Sequence, residues 1–276
     1  MHYQHIKVIV HDTHKSEQKP PFFMGSALRG AFGYALKKVV CINPSYECKG
    51  CFASTTCLYH DFYEAHNSYH SYRFETALGS RSYSFDLYLF EKSCDKLPYV
   101  VSALHKMLTE VGLTRDTLKF KHFTIEVNGS QVYDGVKFAL DKVQPHRFGI
   151  GSPATDIILT LRTPLRIKKN NRFLRDDIEL TDILRSIHQR ERELVYGEPY
   201  AKLEYTPSYK ILSKQLTYKT LIRKSNRQKS RMNMDGMIGE FRLTDLDPTS
   251  YRLLKLGEIL GVGKQTVMGL GSVRLT

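Results

Sequence analysis

Apolar residues along this chain keep two rhythms, one repeating every second position and one every third to fourth, and the two alternate through both halves. Ile6, Val8 and Val10 mark a strand. After the break at Pro20-Pro21 a helix begins near Ser26 and turns Leu28, Ala31, Phe32, Ala35, Leu36 and Val39 inward. Tyr83, Phe85, Leu87 and Leu89 alternate as a strand, and Val100, Val101, Leu104, Met107, Leu108 and Val111 make a second amphipathic helix that stops at Gly112. Phe123, Ile125 and Val127 supply another strand before the turn Asn128-Gly129, with one more expected near Val132 to Val136.

The second half opens at Gly149-Ile-Gly-Ser-Pro153, which reads as a linker. Ile157, Leu159 and Leu161 form a strand, and Ile178 to Tyr196 is a charged amphipathic helix carrying Ile183, Leu184, Ile187 and Leu194. Tyr209 to Leu243 is β-rich around the turn Asn233-Met-Asp-Gly236; a last helix from Pro248 to Leu260, a glycine loop and a strand at Val273 and Leu275 follow. The alternation predicts an α+β protein of two tandem ferredoxin-like (RRM-like) domains. Residues 1–148 form the first, with a Cys-rich insertion at about 41–81, and residues 149–276 form the second, with the Gly-rich loop. A chain of 276 residues suits two domains.

The closing loop, Gly261-Val-Gly-Lys-Gln-Thr-Val-Met-Gly-Leu-Gly271, sets glycines and Lys264 between a helix and a strand. A Walker or dinucleotide loop needs strand, glycines, helix, so that phosphate meets a helix N-terminus. Here the order is reversed, and Gln265 stands where a Walker loop has Ser or Thr, which argues against nucleotide hydrolysis. The glycines are expected to bring backbone amides close to an anion, with the Lys264 ammonium converging on the same place. Positive charge dominates the chain, with 41 Lys plus Arg against 28 Asp plus Glu and a net charge of +13, the footprint of a nucleic-acid binder. Arg227, Lys229 and Arg231 alternate with polar residues in an expected hairpin, either as a phosphate track or as a solvated face.

Four of the five cysteines cluster as Cys41-x6-Cys48-x2-Cys51-x5-Cys57. In a reducing compartment this suits a structural zinc held by thiolates better than disulfides; His60 is near enough to replace one thiol, and four incidental reduced thiols are the plain alternative. The N-terminus lacks the apolar core of a signal peptide and no eighteen apolar residues run together, so a cytoplasmic location away from membranes is expected. The aromatic signature of RRM sheets is absent, so stacking of bases on a sheet is not expected.

The stretch from Gly257 to Gly271 resembles the glycine-rich signature of the RAMP superfamily, in particular of the CRISPR-associated endoribonucleases that cut precursor CRISPR RNA within its repeats. Three further stretches resemble one branch of that family, in order along nearly the whole chain: Gly25-Ser-Ala-Leu-Arg-Gly-Ala-Phe-Gly33 with the cysteine cluster after it, Leu161-Arg-Thr-Pro-Leu-Arg-Ile167, and Ser225-Asn-Arg-Gln-Lys-Ser-Arg231 leading to Gly236-Met-Ile-Gly-Glu240. The resemblance implies the RAMP architecture, with repeat RNA held along the cleft between two ferredoxin-like domains and cut without a catalytic metal. It implies CRISPR repeat RNA (pre-crRNA) as the partner, and other Cas effector or adaptation proteins beyond it.

The implied chemistry follows from RNA itself. The 2′-hydroxyl beside the scissile phosphate is the nucleophile, so the protein must take its proton, hold the phosphate in line and protonate the departing 5′-oxygen, leaving a 5′-hydroxyl and a 2′,3′-cyclic phosphate. Histidine suits the proton transfers and Lys or Arg the charge building on the phosphorane. Family histidines of this kind often lie between the first helix and second strand, here Cys41 to Ser82, which holds His60, His66 and His70. His70 is the first choice because related sequences have a His-Pro-Tyr-like stretch where this chain has His-Ser-Tyr; His66 is the second. Tyr34 is a candidate to orient the hydroxyl, or a packing residue. The RNA contacts expected are Arg29 (or a carboxylate pair for it), Arg227, Lys229, Arg231, Lys264 and the loop at Gly261, Gly263, Gly269 and Gly271. The alternative is a noncatalytic RAMP-type subunit that binds crRNA in an effector complex, which would hold repeat RNA without cutting it.

Overall fold

The computed structural model describes the chain except residues 12–18, 66–67, 115–116, 142 and 226–229, and except the side chains of residues 223–225, 230 and 231. The chain divides into two compact units, Met1–Arg147 and Phe148–Thr276.

In the first unit β1 (His2–Val10), α1 (Gly25–Val40), α2 (Leu58–Tyr63), β2 (Tyr72–Glu75), β3 (Phe85–Phe90), α3 (Leu97–Lys106), β4 (Phe123–Val127), β5 (Ser130–Tyr133) and β6 (His146–Arg147) follow in order. The sheet runs β2-β3-β1-β4-β5, with β6 paired to β1, and every pairing is antiparallel. The first strand lies between the third and the fourth, the ferredoxin-like order. Period-two alternation decides the faces: Ile6, Val8, Leu87, Leu89 and Ile125 are fully buried, while their neighbours Lys7, Tyr88 and Glu126 are not.

Two local features depart from the sequence pattern. The strand β2 is not visible in the apolar alternation, because it is only four residues long and its polar member Arg73 is as buried as Tyr72 and Phe74 beside it. The second helix is α-helical only to Lys106; its last turn, 107–111, widens, and the Gly112 N–H reaches back five residues to the Met107 carbonyl at 2.8 Å.

The second unit repeats the plan with β7 (Ile157–Leu165), a ribbon of β8 (Lys168–Lys169) and β9 (Arg172–Phe173), α4 (Leu180–Tyr196), β10 (Lys210–Lys219), a hairpin of β11 (Ile222–Ser225) and β12 (Ser230–Asn233), β13 (Gly236–Thr244), α5 (Pro248–Leu260) and β14 (Val273–Leu275). Its sheet runs β10-β13-β7-β14, again with the first strand between the third and fourth. The fold is therefore α+β with two ferredoxin-like domains. No helix among the described residues is long and apolar enough to cross a membrane.

The tail is held by backbone contacts that only glycine permits. Val262 N–H donates to the Gly271 carbonyl at 2.9 Å and Gly271 N–H to the Pro164 carbonyl at 3.1 Å. A β-carbon at Gly271, whose φ is +68°, would overlap the Val262 carbonyl oxygen, and one at Gly263 the Arg166 carbonyl oxygen. Gly271→Ala is expected to cost about 3 kcal/mol or more in denaturant unfolding. Gly149→Ala, where nothing lies within 4 Å of the added carbon, should leave the midpoint within about 0.5 kcal/mol.

Candidate functional site

The site is built on one stripe of α1. Arg29, Gly33 and Lys37 are four residues apart, so they share a face, and that face meets α2. The Arg29 guanidinium carbon lies 4.6 Å from the centre of the Tyr63 ring, and Lys37 Nζ lies 5.0 Å from that of Tyr59. Tyr59 and Tyr63 stack at 5.0 Å with an 8° tilt. The Tyr63 hydroxyl donates to the Arg29 carbonyl at 2.7 Å. This approach needs Gly33, since a β-carbon there would stand 2.6 Å from the Tyr63 ring.

Behind α2, β2 adds Tyr72, fully buried and stacked on Phe62 at 4.2 Å, and its ring centre lies 6.0 Å from that of His70. Arg29, His70, Tyr63 and Tyr72 thus form one cluster. Burial pushes the Tyr63 hydroxyl well above its ordinary pKa and raises that of Tyr72, against the pull of Arg29, so both are O–H donors at neutral pH. Burial opposes the charge on Arg29, but the surrounding oxygens of Tyr72 and Tyr63 hold its pKa above the usual value. Arg29 Nε is buried without a hydrogen-bond partner, and the Tyr72 hydroxyl, which makes no well-aligned bond, interacts with both Arg29 and Tyr63. Each unmade bond costs about 1–3 kcal/mol, a large share of a stability of roughly 5–15 kcal/mol.

Of the expected residues, Arg29 and His70 each approach Tyr72, and Arg29 interacts with Tyr72, Tyr63 and Tyr59. Tyr34 is 58% exposed beneath Lys38, whose Nζ lies 4.8 Å from its ring centre. At 100° per residue it sits about 140° round the helix from Arg29, so it neither packs nor joins that face. His66, Arg227 and Lys229 lie outside the described residues; Arg231 is in β12, with its side chain outside them. Tyr63 and Tyr72 escaped the sequence reading because their elements did; the i, i+4 spacing of Tyr59 and Tyr63 was the signal for α2. A second polar group also escaped it: His5 Nε2 lies 2.7 Å from Asp86 Oδ1 and its ring stacks 4.6 Å from that of Tyr88, whose hydroxyl burial pushes up to about 12.

In the second unit the glycine loop differs from expectation. Its amides are spent inside the fold: Gly261 N–H donates to the Gly257 carbonyl, Gly263 to Ser186 Oγ at 2.9 Å, Lys264 to the Arg166 carbonyl at 2.8 Å and Gly269 to the Thr266 carbonyl at 2.8 Å. Gly261, Gly263, Gly269 and Gly271 are buried, so they bring backbone against backbone rather than backbone against an anion. The cations do converge. Lys264 is exposed, and burial of part of its stem together with Lys168 and Arg190 lowers its ammonium pKa, against the pull of Glu193. Arg190 is 2% exposed and donates to the Thr266 hydroxyl.

The four clustered thiols are free and half-buried, as is His60, and all five residues line one cavity of about 20 Å³ with Lys37. Among the described residues no group of three or more His, Cys, Asp or Glu stands close enough, as placed, to hold a metal ion.

Two ferredoxin-like units in tandem, the second closing through a glycine-rich loop, are the fold that this chain shares with solved Cas6 structures. Residues 3–147 match the AF_1859 N-terminal domain, and the chain belongs to that family; residues 159–273 match CRISPR-associated endoribonuclease Cas6. An uncharacterized protein of Archaeoglobus fulgidus is 26% identical over 278 residues, covering 92% of each chain. A product complex of Cas6 (TTHB231), from Thermus thermophilus, superposes with a TM-score of 0.59 at 14% identity over 100% of both chains. A product complex of Cas6 (TTHA0078) does so at 0.53 and 15% over 99% of both. At these identities the likeness is one of fold.

Gly33→Ala should force Tyr63 off Arg29 and cost about 1–3 kcal/mol of stability by denaturant midpoint. Gly30→Ala, one turn away with open space around it, should instead stabilise by up to about 1 kcal/mol, because alanine is the better helix former.

Proposed function

We propose that this chain is an endoribonuclease that binds CRISPR repeat RNA and cuts precursor CRISPR RNA by attack of the 2′-hydroxyl on the adjacent phosphate. The observation that carries the reading is the cluster in which the Arg29 guanidinium lies over Tyr63 and interacts with the buried Tyr72, whose ring lies beside that of His70. His70 takes the 2′-hydroxyl proton, or gives one to the departing 5′-oxygen. Arg29 and the Tyr72 hydroxyl meet the charge that grows on the phosphorane. The products are a 2′,3′-cyclic phosphate and a 5′-hydroxyl. No metal ion enters the reaction, since RNA supplies the nucleophile and side chains carry the protons; zinc in the cysteine loop would be structural. Lys264, with Lys168 and Arg190 beside it, takes phosphates of the bound strand, in place of the loop amides. The reaction runs in the cytoplasm and its product passes to Cas effector proteins.

Labelled repeat RNA incubated with the purified protein should yield one cut with those ends, and a 2′-deoxy nucleotide upstream of the cut should abolish cleavage while leaving binding nearly unchanged. Binding without any cut would support the noncatalytic crRNA-binding subunit instead. His70→Ala should slow single-turnover cleavage by ~10²–10⁴-fold and Arg29→Met by ~10²–10³-fold. Loss of cleavage in His66→Ala with full activity in His70→Ala would move the base to His66. Lys264→Gln should weaken binding of all RNA sequences alike and lower the salt-dependence slope of binding by about 1.

A further inference from the structure

The loop from Cys41 to Cys57 poses a physical problem that the RNA chemistry leaves unsolved. No residue in it is buried, and it contains no helix or strand. Its large apolar side chains point outward: Ile42 is 70% exposed, Phe52 74% and Tyr46 49%. A connection of this length without secondary structure or a core of its own has little to oppose its conformational entropy. What it turns inward is sulfur.

The four thiols come from three separately anchored points. Cys41 ends α1, its N–H bonded to the Lys37 carbonyl at 3.0 Å. Cys48 and Cys51 flank a tight turn, closed by the Cys51 N–H on the Cys48 carbonyl at 3.2 Å and made possible by Gly50 at φ +70°. Cys57 precedes α2 and its side chain makes no capping bond to the helix. All four line the same small cavity, and Lys37 from the α1 stripe lines it beside them.

We propose that Cys41, Cys48, Cys51 and Cys57 bind one zinc ion that organises this loop. Four thiolates are the donor set of a closed tetrahedral zinc site. The cavity of about 20 Å³ has room for one water-sized particle, which needs roughly 10–15 Å³, and not for a four-iron cluster. Among the described residues no group of three or more such side chains holds the arrangement of a metal site, and no residue from Cys41 to Cys57 is buried in a way that opposes their closing on an ion. On binding, the four thiols release four protons; with the two charges of zinc the site is left with a formal charge of about −2, which the Lys37 ammonium partly offsets. His60 lines the cavity but is not a ligand. The ion fixes the entry to α2, the helix that presents Tyr59 and Tyr63 to α1, so its role is structural. The inference stands apart from the RNA reading.

The test is metal analysis of the full chain purified without chelator or affinity metal. One zinc per chain is expected, absent from the Cys48→Ser/Cys51→Ser variant and retained in His60→Ala. Cobalt(II) exchanged into the site should show thiolate-to-metal charge-transfer absorption and the visible bands of a tetrahedral ion. In the wild-type protein the four loop thiols should react with a disulfide reagent only after a chelator has removed the metal. Protein free of stoichiometric metal, with these thiols immediately reactive or joined as disulfides, would overturn the proposal. Iron with acid-labile sulfide would overturn the choice of ion, and metal lost from His60→Ala would overturn the ligand set. None of these readouts depends on RNA cleavage.

Discussion

The ring of Tyr63 occupies the space that a β-carbon at residue 33 would need, and through that approach a short helix lies flat against α1. The rest of the candidate site follows from it. With α2 seated, Tyr63 lies under Arg29 and Tyr59 under Lys37, while Phe62 turns the other way to stack on Tyr72. Tyr72 in turn sets the position of His70, two residues earlier. One missing methyl group therefore connects the first helix to the edge strand of its sheet, and the charged stripe of α1 is partly covered by aromatic faces.

That choice of neighbours has an electrostatic consequence. A carboxylate would neutralise Arg29 and satisfy its donors, leaving nothing for a ligand. Tyrosine rings and hydroxyls keep the guanidinium charged and partly buried while leaving Nε unmade. The second unit reaches a similar state by another route. There the loop amides are satisfied internally, and the cationic character comes from side chains gathered round Lys264. Lys168 and Arg190 repel the Lys264 ammonium and, with burial, lower its pKa.

Much of the architecture was legible in the chain. Alternation at Ile6 and Val8, at Leu87 and Leu89, and at Ile157, Leu159 and Leu161 marked the strands that lie at the centres of the sheets, and the 3.6-residue rhythm marked α1, α3, α4 and α5. These elements are long and bury one face each, so their burial writes itself into the residue pattern. The elements that carry the site are short. β2 hides a fully buried arginine among its aromatics, and α2 spans Leu58–Tyr63 only, too few residues for a period to show.

His70 and Arg29 could be picked out as residue types suited to the chemistry, and Lys264 as a cation in a glycine loop. The tertiary structure decided what surrounds them. The glycines of the tail are the clearest case: their positions were evident, but whether their amides faced an anion or the protein depended on contacts with Pro164, Arg166 and Ser186, far away along the chain. By itself the sequence determined the order of strands and helices and the excess of positive charge, because both are set by neighbouring residues and by composition. Which donors were left over, and which thiols shared a cavity, emerged only on folding, because hydrogen-bond partners and cavity walls come from residues that the chain keeps far apart.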